Sequence, residues 1–174
     1  MPEEHPLVKL ARNTVETYVR EKRTIDPPTD LTPEMQKHAG AFVTLHDSRG
    51  NLRGCIGTIE PQKPNLAQEV IQNAISSATN DPRFFPVSAD ELDDLTIKVD
   101  VLTDPEPIKG LGELDPRRYG VIVQSTRDFR RGLLLPDLEG INTAEYQIEI
   151  ARRKAGIASH ELVKLYRFEV KRYT

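Results

Sequence analysis

The chain has 174 residues, 37% of them hydrophobic and 29% charged, and its 24 Lys and Arg against 27 Asp and Glu leave a formal net charge of -3. That length carries a domain-sized core, and the balance excludes a disordered or fibrous chain. The acidic excess argues against a surface built to coat nucleic acid, where phosphates are met by a clear surplus of Lys and Arg.

The first residues are acidic and broken by Pro2 and Pro6, so they lack the basic start and apolar run of an export signal. No apolar stretch reaches the length of a membrane span. A cytoplasmic protein without membrane contact is expected. From Pro6, the residues Leu7, Ala11, Thr14, Val15, Tyr18 and Lys22 recur at helical spacing, which predicts an N-terminal amphipathic helix. Pro27, Pro28 and Pro33 make the stretch 24–34 an extended connector, too short to separate a pair of domains.

Two strand-like runs, 41–45 and 52–59, flank the turn-rich segment 46–51 and predict a hairpin. Asn65 is placed to cap a helix with Gln68 three positions on, its apolar face being Ala67, Val70, Ile71, Ala74 and Ala78. After the loop 80–86, Ser88 with Glu91 forms a capping box opening a short helical turn. Leu95, Ile97, Val99 and Val101 then alternate with Thr96, Lys98 and Asp100, a strand whose second set is expected on a solvated face.

Residues 104–116 read as a Pro/Gly-rich loop. The runs 119–124 and 132–135 form a second hairpin around a turn holding Arg127, Arg130 and Arg131. Asn142 with Glu145 is expected to cap a helix bearing Ala144, Ile148, Ala151 and Ala155, ended by Gly156. The chain closes on one strand with Tyr166, Phe168 and Val170 on one face. The order is not the regular alternation of a parallel sheet, so an α+β fold is expected, a mostly antiparallel sheet with flanking helices in a single domain spanning 1–174.

The most unusual segment is Leu52-Arg53-Gly54-Cys55-Ile56-Gly57, because glycines weaken a strand and mark places where something approaches its backbone closely. Alternation puts Arg53, Cys55 and Gly57 on one face. A hairpin pairing Leu45 with Leu52 would set Thr44 opposite Arg53 and Phe42 opposite Cys55. A guanidinium beside a thiol favours the thiolate, so Cys55 is a candidate nucleophile; its bland alternative is a small buried hydrophobe. Arg53 in such a strand needs an anionic ligand or an internal carboxylate, for instance Asp81.

Asn73 borders the apolar face of its helix and must find a hydrogen-bond partner. Asp81 and Arg83 either bind a ligand or pair with each other to fix their turn. His46 lies where a proton-transfer group would sit if its turn overhung Cys55. One cysteine cannot form an intramolecular disulfide, and four histidines with one cysteine offer no zinc-ligand spacing. Neither a metal nor a cofactor is expected.

The hexapeptide resembles the LRGCIG motif of the AMMECR domain family. The blocks Ala41-Phe42-Val43-Thr44-Leu45, Asn73-Ala74, Asp81-Pro82-Arg83-Phe84, Tyr119-Gly120-Val121-Ile122-Val123, Gly132-Leu133-Leu134-Leu135-Pro136 and Lys154-Ala155-Gly156-Ile157 resemble that family's blocks in the same order, and Pro136-Asp137-Leu138-Glu139-Gly140 resembles its prokaryotic branch. The resemblance implies an α+β fold of two lobes with a duplicated β-α-β-β unit. It implies a functional site at the hexapeptide, which falls on Arg53, Gly54, Cys55 and Gly57, supported by Asn73, Asp81 and Arg83. It implies as partners a Memo-like protein and a radical S-adenosylmethionine protein.

No reaction comes with the resemblance. Three functions therefore stand: an enzyme or enzyme component with a cleft for a small anionic ligand at Arg53 and Cys55; a protein-binding adaptor using the same strand; and a nucleic-acid-associated protein, the least favoured by charge.

Overall fold

The structure is a computed structural model and describes residues 2–174. The chain forms two compact units, residues 2–102 with Lys171–Thr174, and Thr103–Val170. Each is a four-stranded antiparallel sheet with helix on one face, the α+β architecture expected from the element order.

In the first unit, α1 (Pro6–Glu21) begins at the expected proline, with the His5 side chain accepting from the Leu7 amide. β1 (Ala41–His46) and β2 (Leu52–Gly57) form the hairpin, and α2 (Leu66–Thr79) is capped by Asn65, which accepts from the Gln68 amide. The capping box of Ser88 and Glu91 opens a 3-10 helix over Ala89–Asp94, and β3 (Thr96–Leu102) follows. Both helices pack on one sheet face, where Val43, Leu45, Ile97 and Val99 meet Leu7, Ala11, Val15, Val70 and Ala74 in a continuous core. Burial of apolar side chains at about 25 cal/mol per Å² drives this layer pairing.

In the second unit, β4 (Glu106–Ile108) lies inside the stretch read as a loop; Pro107 and its three-residue length hid it from period-two analysis. β5 (Gly120–Ser125) and β6 (Arg131–Leu134) make the second hairpin, and α3 (Ala144–Ala155) ends at Gly156 with φ 67°, as expected. Its cap is Thr143, accepting from the Tyr146 amide, and not Asn142. The closing strand is two: β7 (Val163–Phe168) belongs to the second unit's sheet and β8 (Val170–Tyr173) to the first unit's. The break falls at Glu169, and alternation continues across it, so the change of sheet leaves no mark in the hydropathy pattern.

The strand orders are β2-β1-β3-β8 and β6-β5-β7-β4, so each unit repeats a β-β-α-β run with one outer strand added. The expected duplication is there, with the helix after the hairpin and not before it. Among the described residues no helix is long and apolar enough to cross a membrane.

Candidate functional site

The β1–β2 register is Thr44 opposite Cys55, Leu45 opposite Gly54 and Phe42 opposite Gly57, with a bulge before His46. The expected pairing of Thr44 with Arg53 is off by two residues. An even slip leaves Cys55 and Gly57 on the expected face, turned away from α2, while Arg53 is the residue left unpaired at the bulge between Gly54 and Leu52. Gly54 faces α2, where an added Cβ would stand 2.2 Å from the Ser77 carbonyl oxygen. The expected close approach at this glycine is made by the protein's own helix. At Gly57 the space is filled by the Phe42 ring, 2.3 Å from a Cβ position.

Arg53 is bound by Glu91 and not by Asp81. Its Nε donates to Glu91 Oε1 at 2.7 Å, its Nη1 to the Phe85 carbonyl at 2.9 Å, and its Nη2 to Glu91 Oε2 at 3.1 Å. The guanidinium is thereby spent on anchoring loop 85–91 to β2. Its hydrogen bonds, foremost among the causes, hold the Glu91 carboxyl down at about 2.

Asp81 and Arg83 pair with each other. Asp81 is buried, accepts from Arg83 Nε at 3.0 Å and from Nη2 at 2.8 Å, and is held at about 2 chiefly by those bonds. The pair also closes the outer edge of β2: the Cys55 amide donates to Asp81 Oδ2 at 2.9 Å, and Arg83 Nη2 donates to the Cys55 carbonyl at 3.4 Å. Two side chains thus take the place of a neighbouring strand on an edge that would otherwise be open. Arg53, Pro82, Arg83, Phe84 and Phe85 line a groove of about 420 Å³ beside it.

Asn73 is 3% exposed and its Nδ2 donates to the Ala41 carbonyl at 2.9 Å and to Thr58 Oγ1 at 3.2 Å. It ties α2 to the sheet. Of the expected site residues, then, Arg53, Gly54, Asn73, Asp81 and Arg83 are each engaged by the protein's own groups.

Cys55 Sγ lies 3.2 Å from Thr44 Oγ1, and Thr44 is opposite Lys98 of β3. A thiol, a hydroxyl and an ammonium therefore cross three strands in one row on one face. His46 shares this face two residues along β1; its Nδ1 is buried without a hydrogen-bond partner, and burial, then the Lys98 charge, push it below the usual imidazole value. Asp100, expected on a solvated face, is 2% exposed and accepts from Arg172 Nε at 2.7 Å. Burial raises its pKa above the ordinary carboxylate value, the Arg172 charge opposing. Alternation marked these residues as polar; it could not tell a polar face from a solvated one.

The second unit repeats this geometry with different chemistry. Ile122 sits opposite Leu133 and Tyr166, as Thr44 sits opposite Cys55 and Lys98; Gly120 sits opposite Phe168, as Phe42 does Asp100. A Cβ on Gly132 would stand 1.9 Å from the Ala151 carbonyl oxygen, the counterpart of Gly54 against Ser77. Lys154 donates to the Leu133 carbonyl as Arg83 does to that of Cys55. So where the first unit places Thr44, Cys55, Lys98 and Asp100, the second places Ile122, Leu133, Tyr166 and Phe168. Aligning the two halves residue by residue was the signal that would have found Lys98 and Asp100 in the sequence.

Comparison with known proteins places these features in a family. The AMMECR1 family matches residues 8–173. The chain belongs to the AMMECR1 family. A Thermotoga maritima protein is 55% identical over 172 residues, 98% of each chain. Protein CA_C1420 of Clostridium acetobutylicum is 49% identical over 98% of this chain, which spans only 36% of that longer protein. The crystal structure of PH0010 from Pyrococcus horikoshii, described as uncharacterised, is similar with a TM-score of 0.86 and 36% identity, over 95% of this chain and 88% of that one. Among the described residues no group of three or more His, Cys, Asp or Glu is gathered as a metal site requires.

Proposed function

We propose that this AMMECR1-family chain is a thiol-dependent enzyme, or the substrate-handling portion of one, acting on a small anionic molecule at the sheet face of its first unit. Cys55 is the nucleophile, Lys98 supplies the charge that draws the anion, and Thr44 donates to or accepts from the thiol. His46, kept neutral by burial, stands on the same face as a proton acceptor. Arg53, Glu91, Asp81, Arg83, Asn73, Gly54 and Gly57 hold the strand that carries the thiol.

One observation supports the reading above the rest. At matching registers of a duplicated fold, the second unit has a packing layer of Ile122, Leu133 and Phe168, whereas the first has Thr44, Cys55 and Asp100. Polar groups at half-buried or buried sheet positions cost stability against such a layer, and function is what offsets that cost.

The adaptor reading loses its simplest geometry, since Asp81 and Arg83 already occupy the β2 edge where a peptide strand would add. The nucleic-acid reading is weakened because four of the second unit's arginines carry acidic partners: Arg118 with Glu169, Arg130 with Asp128 and Glu161, Arg153 with Glu149, Arg167 with Glu106. Phosphate contacts would have to displace them.

Because Cys55 is the sole cysteine, its alkylation tests the reading directly. Iodoacetate and iodoacetamide differ in charge and little in size. Relative to the protein unfolded in urea, the native chain should favour iodoacetate, and Lys98→Met should remove the preference, slowing iodoacetate more than iodoacetamide, whose rate falls only as far as the thiolate fraction does. Equal relative rates in native and unfolded protein would overturn the anion-directed thiol.

A further inference from the structure

In the first unit the start of α1 and the edge strand β8 meet through one imidazole. His5 caps α1: its carbonyl accepts from the Val8 and Lys9 amides at 2.8 and 2.9 Å, and its Nδ1 accepts from the Leu7 amide at 3.3 Å. The same ring is stacked on Tyr173 of β8, with centroids 3.9 Å apart and planes inclined by 21°. Tyr173 is buried in the core on which α1 packs. The caps of the other α-helices, Asn65 and Thr143, accept through oxygens that do not titrate. An imidazole accepts at Nδ1 only while it is neutral, and histidine changes charge near neutral pH.

Protonated, both ring nitrogens are donors, so an Nδ1–H would face the Leu7 N–H at the positive end of a helix. The ring then has to turn from the amide, and turning takes it off Tyr173. The surrounding charges do not remove the conflict. From β8, Lys171 Nζ stands 5.3 Å from the centroid of the Tyr173 ring, which opposes a second cation there. From the connector after α1, Glu34 attracts an imidazolium but is already paired with Lys37 at 2.9 Å. Glu3 and Glu4, beside His5 in sequence, are paired with Lys9 and Arg12, each at 2.8 Å. Burial, with Lys171 adding to it and Glu34 opposing, sets the His5 pKa below its ordinary value.

We infer that His5 is a pH-sensitive latch: neutral, it caps α1 and holds β8 in place through Tyr173; protonated, it leaves the Leu7 amide and lets β8 open. β8 lies at the outer edge of the order β2-β1-β3-β8 and carries Arg172, the partner of Asp100, so its opening reaches the buried carboxylate of the sheet. A histidine whose folded pKa is lowered contributes stability that is full above the unfolded value of about 6.5 and is lost as pH falls through that value toward the folded one. The latch is independent of the reading given to Cys55.

Amide hydrogen exchange of the whole 15N-labelled chain at about pH 7.5 and about pH 5.5, expressed as protection factors, reads the opening of each element. Protection at Leu7 and along β8 should fall about tenfold between the two, as loss of a helix cap at a charged terminus does, with little change at Val70 and Ala74 in α2. His5→Asn keeps a side-chain acceptor that does not titrate, and should abolish the fall at Leu7 and reduce it along β8. Asp100 and Glu34 titrate in both chains, so the difference between the chains belongs to His5. Tyr173→Leu keeps the cap and removes the stack: Leu7 should still follow pH and β8 should follow it less, a comparison that remains readable if His5→Asn folds poorly. The same pH dependence in His5→Asn as in the natural chain, or a fall spread evenly over α2, would overturn the latch.

Discussion

Asn73 and Gln147 perform the same task in the two units: each sends its side-chain amide to a carbonyl at the start of a hairpin's first strand, Ala41 at 2.9 Å and Tyr119 at 2.8 Å. The duplication is therefore kept down to a single hydrogen bond. Ala41 also accepts from the Thr58 amide at 3.0 Å, so removing Asn73 does not orphan its carbonyl. Asn73→Ala should lower stability by about 1 kcal/mol, the net worth of an ordinary hydrogen bond, and leave Cys55 alkylation unchanged. Urea unfolding measures the first and mass spectrometry of the labelled chain the second; a large change in alkylation would give Asn73 a role in the site itself.

Gly54 should tolerate no side chain. Its Cβ would meet the Ser77 carbonyl of α2, a backbone atom that cannot swing aside, and Ser77 is itself held by its Oγ donating to the Val43 carbonyl at 2.7 Å. Gly54→Ala should cost at least the 1–3 kcal/mol typical of an overpacked core and lower the melting temperature by several degrees. Gly132→Ala, facing the Ala151 carbonyl, should do the same in the second unit. An unchanged melting temperature in either variant would mean that the helix is free to retreat from its strand.

The helices, both hairpins and the face shared by Cys55 and Gly57 were legible because each rests on periodicity within a few residues. The partner of Arg53 was not. Glu91 announced itself as a capping residue through Ser88, and nothing local shows that the same carboxylate reaches a strand 38 residues away in sequence. Asp100 was misread because alternation reports polarity, and the polar face here is buried enough to leave it 2% exposed. From Phe42 to Leu45 the pairing differs from the expected one by two residues, one of them the extra residue at the bulge, and that even difference keeps Cys55 on the face it was expected to share with Thr44.

Acid should loosen the loop that Arg53 and Arg83 anchor. Glu91 and Asp81 are each held at about 2, below ordinary values of 4.5 and 3.8. A depressed carboxyl pKa contributes stability that is fully present above the unfolded value and is lost as pH falls through the folded one. With solvent screening allowed for, each pair contributes on the order of 1 kcal/mol. Urea midpoints for the natural chain and for Arg53→Met should therefore differ at neutral pH, and the difference should shrink between pH about 4.5 and about 2. A difference that stays constant down to pH about 2 would assign the loss to packing of the arginine stem.

The sharpest electrostatic test lies between β3 and β8. Asp100 is buried with Arg172 as its ion-pair partner at 2.7 Å, and burial already raises its pKa. A raised carboxyl pKa works against folding as pH climbs through it, so Arg172 is what makes the ionised form tolerable at neutral pH. Arg172→Met leaves a buried charge uncompensated and should cost about 3 kcal/mol at pH 7. Lowering the pH should restore much of that loss as Asp100 takes up a proton, the opposite trend to the Arg53 variant. In an Asp100→Asn background the same Arg172 substitution should cost little, because no buried charge is left to strand. Denaturant unfolding of the four chains at pH 5 and pH 7 completes the cycle, and equal losses in both backgrounds would show that Arg172 acts by packing β8 and not through its charge.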